Sequence, residues 1–218
     1  MIAPGMTVAD FAFASVLALS AILAAILVSR AGNDARRYVQ FASALYGALS
    51  LSDLVAMLTS ASQAQMLSGA VALIVMSLAP VALALAFAAS FEGPPPPAIA
   101  STALLIGCAA GLAAAMTGAR FIAMTSLFAS VCAILTFAVR RRRAASRSAI
   151  QASVCGFALL AGAAADMTGG LEAQTSLALF SAAALLGAAL ACAKRSNFAV
   201  EQPALQPSNV IALVRRER

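Results

Sequence analysis

The stretch Ala98 to Met116, AIASTALLIGCAAGLAAAM, decides how this chain is threaded. It holds no charged residue, and its length at about 1.5 Å per residue matches a hydrocarbon core of about 30 Å. Whether it crosses a bilayer fixes the side on which the next basic cluster falls. Arg30, Arg36 and Arg37 come before it; Arg140 to Arg143 and Arg147 come after it; Lys194, Arg195, Arg215, Arg216 and Arg218 close the chain. If Ala98 to Met116 spans, four apolar windows separate the first cluster from the second and two separate the second from the third. All three clusters then lie on one side, as the rule of basic cytoplasmic loops requires. If it does not span, the Arg140 to Arg143 block is thrown outside.

The windows lie at about 7–29, 38–58, 66–90, 98–116, 121–139, 149–167 and 173–193. The chain of 218 residues is 62% hydrophobic and only 10% charged, and its mean hydropathy is +0.94. A soluble domain carries about a quarter charged residues, so lipid is the expected solvent. Backbone groups in lipid must be satisfied internally, and the windows lack the alternation of barrel strands. The expected fold is therefore an all-α integral membrane bundle of seven transmembrane helices, N-terminus out and C-terminus in. Residues 1–196 form the transmembrane domain and 197–218 a cytoplasmic tail, where Ser208 is placed to cap a short amphipathic helix.

The start, MIAPGMTVAD, has no basic side chain and precedes an apolar run too long for a cleaved leader, so the first window is expected to be retained. Thr7 and Asp10 fit the cap of its helix. Pro94 to Pro97 form a stiff extended connector that ends in the first turn of the fourth helix. The four cysteines, Cys108, Cys132, Cys155 and Cys192, fall inside windows without metal-ligand spacing and read as small apolar fillers.

The polar residues within the windows are the candidate site. Ser43, Tyr46, Ser50 and Asp53 recur at spacings that place them on one face of the second helix, with Asp53 in the outer third of the span. A carboxylate at membrane depth is costly and faces protein or water. Arg120, at the outer end of the fifth helix, is its expected partner, and Asp166 is a second acid on the outer side. Asp53, Ser50, Tyr46, Arg120 and Asp166 thus form either an outward-facing polar pocket or a network that fixes helix packing. Pro80 is expected to kink the third helix and free a carbonyl near residue 76.

Small residues mark expected close approaches between helices. They are Gly107 and Gly111 in a GxxxG stretch, Ala158 to Gly162, and Gly187 within Ala183 to Ala191.

Windows one to three and five to seven share an orientation, each with a basic loop after its first helix and an acid late in its second, Asp53 and Asp166. Gln40 and Gln151 lie near the starts of those second helices. In topology this pattern resembles the three-plus-one-plus-three bundles of SWEET-type small transporters, with the fourth helix as the inverting link. That resemblance implies a solute path through Asp53 and Asp166.

Enzyme chemistry finds little support, the remaining alternative being an intramembrane aspartyl hydrolase whose two aspartates share a proton: there is no histidine, no GxSxG elbow and no phosphate-cradling loop. The Gly-x-Gly-Asp motif of intramembrane aspartyl hydrolases is missing too, since Asp166 follows three alanines. The seventh window lacks the lysine that a rhodopsin uses for its retinal. No cofactor or metal is expected. Arginines in juxtamembrane loops without interleaved aromatics point to anionic lipid rather than nucleic acid.

The expected function is a non-catalytic sensory, regulatory or assembly module, with a membrane-protein partner or a second copy of itself. The alternative is a small-solute or proton- or cation-coupled transporter. The alanine- and arginine-rich composition points to the inner membrane of a bacterium.

Overall fold

The computed structural model describes residues 8–29, 34–59, 62–91, 93–141, 146–168 and 179–193. Among the described residues there are seven helices and no strand: α1 Val8–Ser29, α2 Ala35–Thr59, α3 Ser62–Phe91, α4 Pro97–Thr117, α5 Arg120–Arg141, α6 Ser146–Thr168 and α7 Leu179–Ala193. The first five are long and apolar enough to cross a membrane. The apolar part of α6, Ile150–Ala164, and α7 are shorter. The stretch AIASTALLIGCAAGLAAAM is helix from end to end, within α4. Thr7, residues 169–178, which include the start of the seventh window, and residues 194–218 lie outside the described residues, as do the side chains of Asp10 and Asp166.

Helix ends extend past the sequence windows where polar residues continue the backbone ladder. α2 begins at Ala35 and takes in Arg36 and Arg37, α3 begins at Ser62, and α5 runs from Arg120 to Arg141. Backbone hydrogen bonding, not hydropathy, sets a helix end, so charged residues ride on the last turns. Pro97 is the first residue of α4 after an extended Pro96 with φ −50° and ψ 135°. Gly118 closes α4 at φ 68°, a left-handed conformation that glycine adopts without strain. Only Gly118 and Ala119 separate α4 from α5, which forces the two helices to run antiparallel.

α3 is the hub. It packs against α2, α4 and α5, while α2 also packs on α1, and α5 on α6 and more lightly on α4. Its second half is buried nearly throughout, from Ser77 to Phe87. α4 is peripheral, with Leu105, Ile106 and Met116 exposed on its outer side. Such exposure is ordinary for a face turned to lipid, where burial of apolar surface gives no drive for association.

Candidate functional site

The polar stripe of α2 faces protein. Ser43, Tyr46 and Ser50 are buried and Asp53 is half-buried. Each of the last three meets a different helix. The Ser50 hydroxyl donates to the carbonyl oxygen of Ala14 on α1 at 2.7 Å. Tyr46 stands with Ser181 of α7 and Leu159 of α6 on the wall of one small cavity. Asp53 accepts a hydrogen bond from the Ser68 hydroxyl on α3. Ser43 instead bonds Val39 one turn back in its own helix, at 2.9 Å. The 3.6-residue repeat therefore fans polar side chains from one face of α2 toward α1, α3 and α7.

The hydrogen-bond partner of Asp53 is Ser68, where the sequence reading gave Arg120. The reason is topological. Only two residues separate α2 from α3, so the C-terminal end of α2 and the N-terminal end of α3 meet directly, and Ser68 stands where it reaches the carboxylate. Arg120 is the exposed first residue of α5. Asp166 lies in the last turns of α6. Among the described residues no three His, Cys, Asp or Glu side chains are grouped to hold a metal ion, and the four cysteines are free thiols.

A second polar cluster was not legible as one in the sequence. The Ser77 hydroxyl donates to the Gly107 carbonyl on α4 at 2.8 Å, and the Ser126 hydroxyl of α5 donates to the Ser77 carbonyl at 2.9 Å. Ser77 thus ties α4, α3 and α5 together, three residues before Pro80. A proline inside a helix cannot donate to the carbonyl four residues back, and hydroxyls of neighbouring helices commonly serve such interrupted segments. The serine three residues ahead of the proline was the available signal.

Close approach is uneven among the glycines. A Cβ on Gly111 would stand 2.8 Å from the Cα of Ile74, and one on Gly107 would stand 3.2 Å from Val81. These glycines let α4 lie against the backbone of α3. Gly187 makes no such contact: a Cβ there would meet nothing within 4 Å. A small-residue run permits close packing but does not require it, because alanine-rich helices carry such runs on every face. Gly156 was missed, although Ala152 and Gly156 form a small-xxx-small pair. A Cβ on Gly156 would fall 2.7 Å from the Leu135 side chain on α5.

At the centre of the bundle is a cavity of about 30 Å³. Phe13 and Leu17 of α1, Tyr46 and Leu49 of α2, Pro80 of α3, Leu127 of α5, Leu159 of α6 and Ser181 of α7 border it. α4 contributes nothing to its wall. The space is about that of one water molecule, and its surface is apolar except at the Tyr46 and Ser181 edge. No protein family matches this chain, and no curated protein and no solved structure matches it.

Proposed function

We propose that the chain is a multi-pass membrane module without catalytic chemistry, whose task is assembly with a membrane partner or relay of a signal across the bilayer. The observation that carries this reading is the apolar centre. Leu17, Leu49, Leu127 and Leu159 meet there around a void too small for a solute. Among the described residues every buried side-chain nitrogen and oxygen already has a hydrogen-bond partner. A solute path needs polar groups free to replace hydration through the depth of the membrane. The parity of the basic clusters supports seven crossings with the N-terminus out and the C-terminus in, in a bacterial inner membrane.

The test has two arms. Cytoplasmic reporters fused after Arg147 and after Gly170 are expected to be active and inactive, respectively; the reverse pattern overturns the threading. Purified protein in liposomes is expected to show no flux of protons, Na⁺ or K⁺ above empty vesicles, while crosslinking in native membranes yields one defined complex. Flux above background together with a monomeric crosslinking pattern overturns the assembly reading.

One observation favours the transport reading. The half-buried Asp53 carboxylate lies within α2 and is met by a serine, a neutral partner. On this second reading Asp53 and Asp166 carry a proton or cation. Proton flux abolished by Asp53→Asn, which cannot ionise, would select it.

A further inference from the structure

α3 borders the central cavity through Val75, Met76 and Pro80. Proline has no N–H, so the Met76 carbonyl, four residues back, lacks the donor that the helix ladder would otherwise give it. A helix carbonyl points along the axis toward the nitrogen four residues on. The Met76 oxygen therefore lies between Met76 and Pro80, two wall residues one turn apart. The next carbonyl along, that of Ser77, is served from the α5 side, where the Ser126 hydroxyl donates to it at 2.9 Å.

Two hydroxyl-bearing residues stand on the same wall. Tyr46 comes from α2 and Ser181 from α7, and both are more than nine-tenths buried. A hydroxyl offers one proton and two lone pairs, so a bond to a protein neighbour does not exhaust it. Most of the remaining wall is hydrocarbon, from Phe13, Leu17, Leu49, Leu127 and Leu159. The space of about 30 Å³ matches a single water molecule.

We propose that this cavity is a binding site for one water molecule, which donates one proton to the Met76 carbonyl and bonds Tyr46 and Ser181 through its other proton and its oxygen. About three hydrogen bonds is the usual number for a buried water. Other occupants of that size fit less well. A bare metal cation takes about six oxygen ligands, more than this wall supplies. An apolar atom would leave the Met76 carbonyl without a donor, and buried backbone oxygens are almost always paired.

The water completes the ladder of α3 where proline breaks it, as ordered waters do in other interrupted transmembrane helices. It also joins α2, α3 and α7 at one point in the core. No second water fits beside it, so the site braces the kink and is not a step on a solute path. The inference goes beyond the assembly reading and does not depend on which partner the protein meets.

The sequence allows this carbonyl to be observed alone. Met76–Ser77 is the only Met–Ser pair in the chain, and Val75–Met76 is the only Val–Met pair. Carbonyl-¹³C methionine with ¹⁵N-serine, and carbonyl-¹³C valine with ¹⁵N-methionine, isolate the two carbonyl carbons in solid-state NMR of the full chain in liposomes. Polarisation transferred from water protons is expected to reach the Met76 carbon and to be weak at Val75, whose carbonyl keeps the Ala79 N–H of the ladder. Tyr46→Phe combined with Ser181→Ala removes two of the three partners and is expected to abolish the transfer to Met76. Transfer in the parent no stronger at Met76 than at Val75 overturns the proposal, because the cavity is then dry; this comparison needs no variant. Transfer that persists undiminished in the double variant also overturns it, because the water would then be held by other groups.

Discussion

α2 and α6 show one pattern of burial, 113 positions apart, and fill it with different chemistry. Where α2 carries Ser43, Tyr46 and Ser50, α6 carries Gly156, Leu159 and Ala163. The first helix reaches its neighbour through a hydroxyl, at Ala14. The second draws its neighbour in by lacking a side chain, at Leu135. Both are answers to one physical problem. In lipid, apolar surface gains nothing by leaving the solvent, so helices are held by dispersion contact at short range and by hydrogen bonds. Position in the fold determines that a residue is buried, and neighbouring chemistry determines how.

The comparison breaks first where close approach involves backbone. Gly111→Val on α4 places branched carbons against the Ile74 Cα and is expected to destabilise the bundle by about 3 kcal/mol, as overpacking does. Unfolding in mixed micelles measures it, and a variant as stable as the parent removes the contact from the account. Gly156→Ala meets only the far end of the Leu135 side chain, which can rotate away, so about 1 kcal/mol is expected there. A cost equal to that of Gly111→Val would mean that α5 and α6 are as rigidly apposed as α3 and α4.

The hydroxyl contacts sharpen the other side of the comparison. Asp53→Ala removes the acceptor that Ser68 meets and is expected to lose about 1 kcal/mol, whereas Asp53→Asn keeps an acceptor and stays near the parent. A double-mutant cycle of Asp53→Ala with Ser68→Ala is expected to show coupling of the same size; additive losses would dissolve the pair. The smallest effect is expected at Ser50→Ala. Loss of its bond to Ala14 costs about 0.6 kcal/mol, because the carbonyl it leaves is already held in the helix ladder. A loss several times larger would show the α1–α2 contact to be the weak point of the bundle.

The helices themselves were legible because length and hydropathy are local properties. The stripe on α2 was legible for the same reason, since a spacing of three or four residues fixes a face. The partner of Asp53 was not: Arg120 was the only basic residue on the expected side, but the carboxylate was met by the serine brought to it by the short α2–α3 connection. Of the glycines, Gly107, Gly111 and Gly156 have a neighbouring helix where a Cβ would stand and Gly187 has none, a difference that small-residue runs do not encode because a glycine's value depends on what stands opposite. Asp53 and Asp166 stand 113 positions apart, the offset at which α2 and α6 are buried alike, whereas Gln40 falls opposite Ser153 and not Gln151 at that offset.

What the sequence determined by itself was the solvent, the helical state and the faces of single helices, since each follows from groups within a few residues of one another and from a bilayer that leaves backbone no other partner. The tertiary structure alone decided which hydroxyl meets which helix, that Ser77 ties three helices together beside Pro80, and that Leu17 of α1 and Leu127 of α5 line one void. Those are contacts between residues tens of positions apart, and their energies depend on ångström-scale apposition that no local pattern encodes.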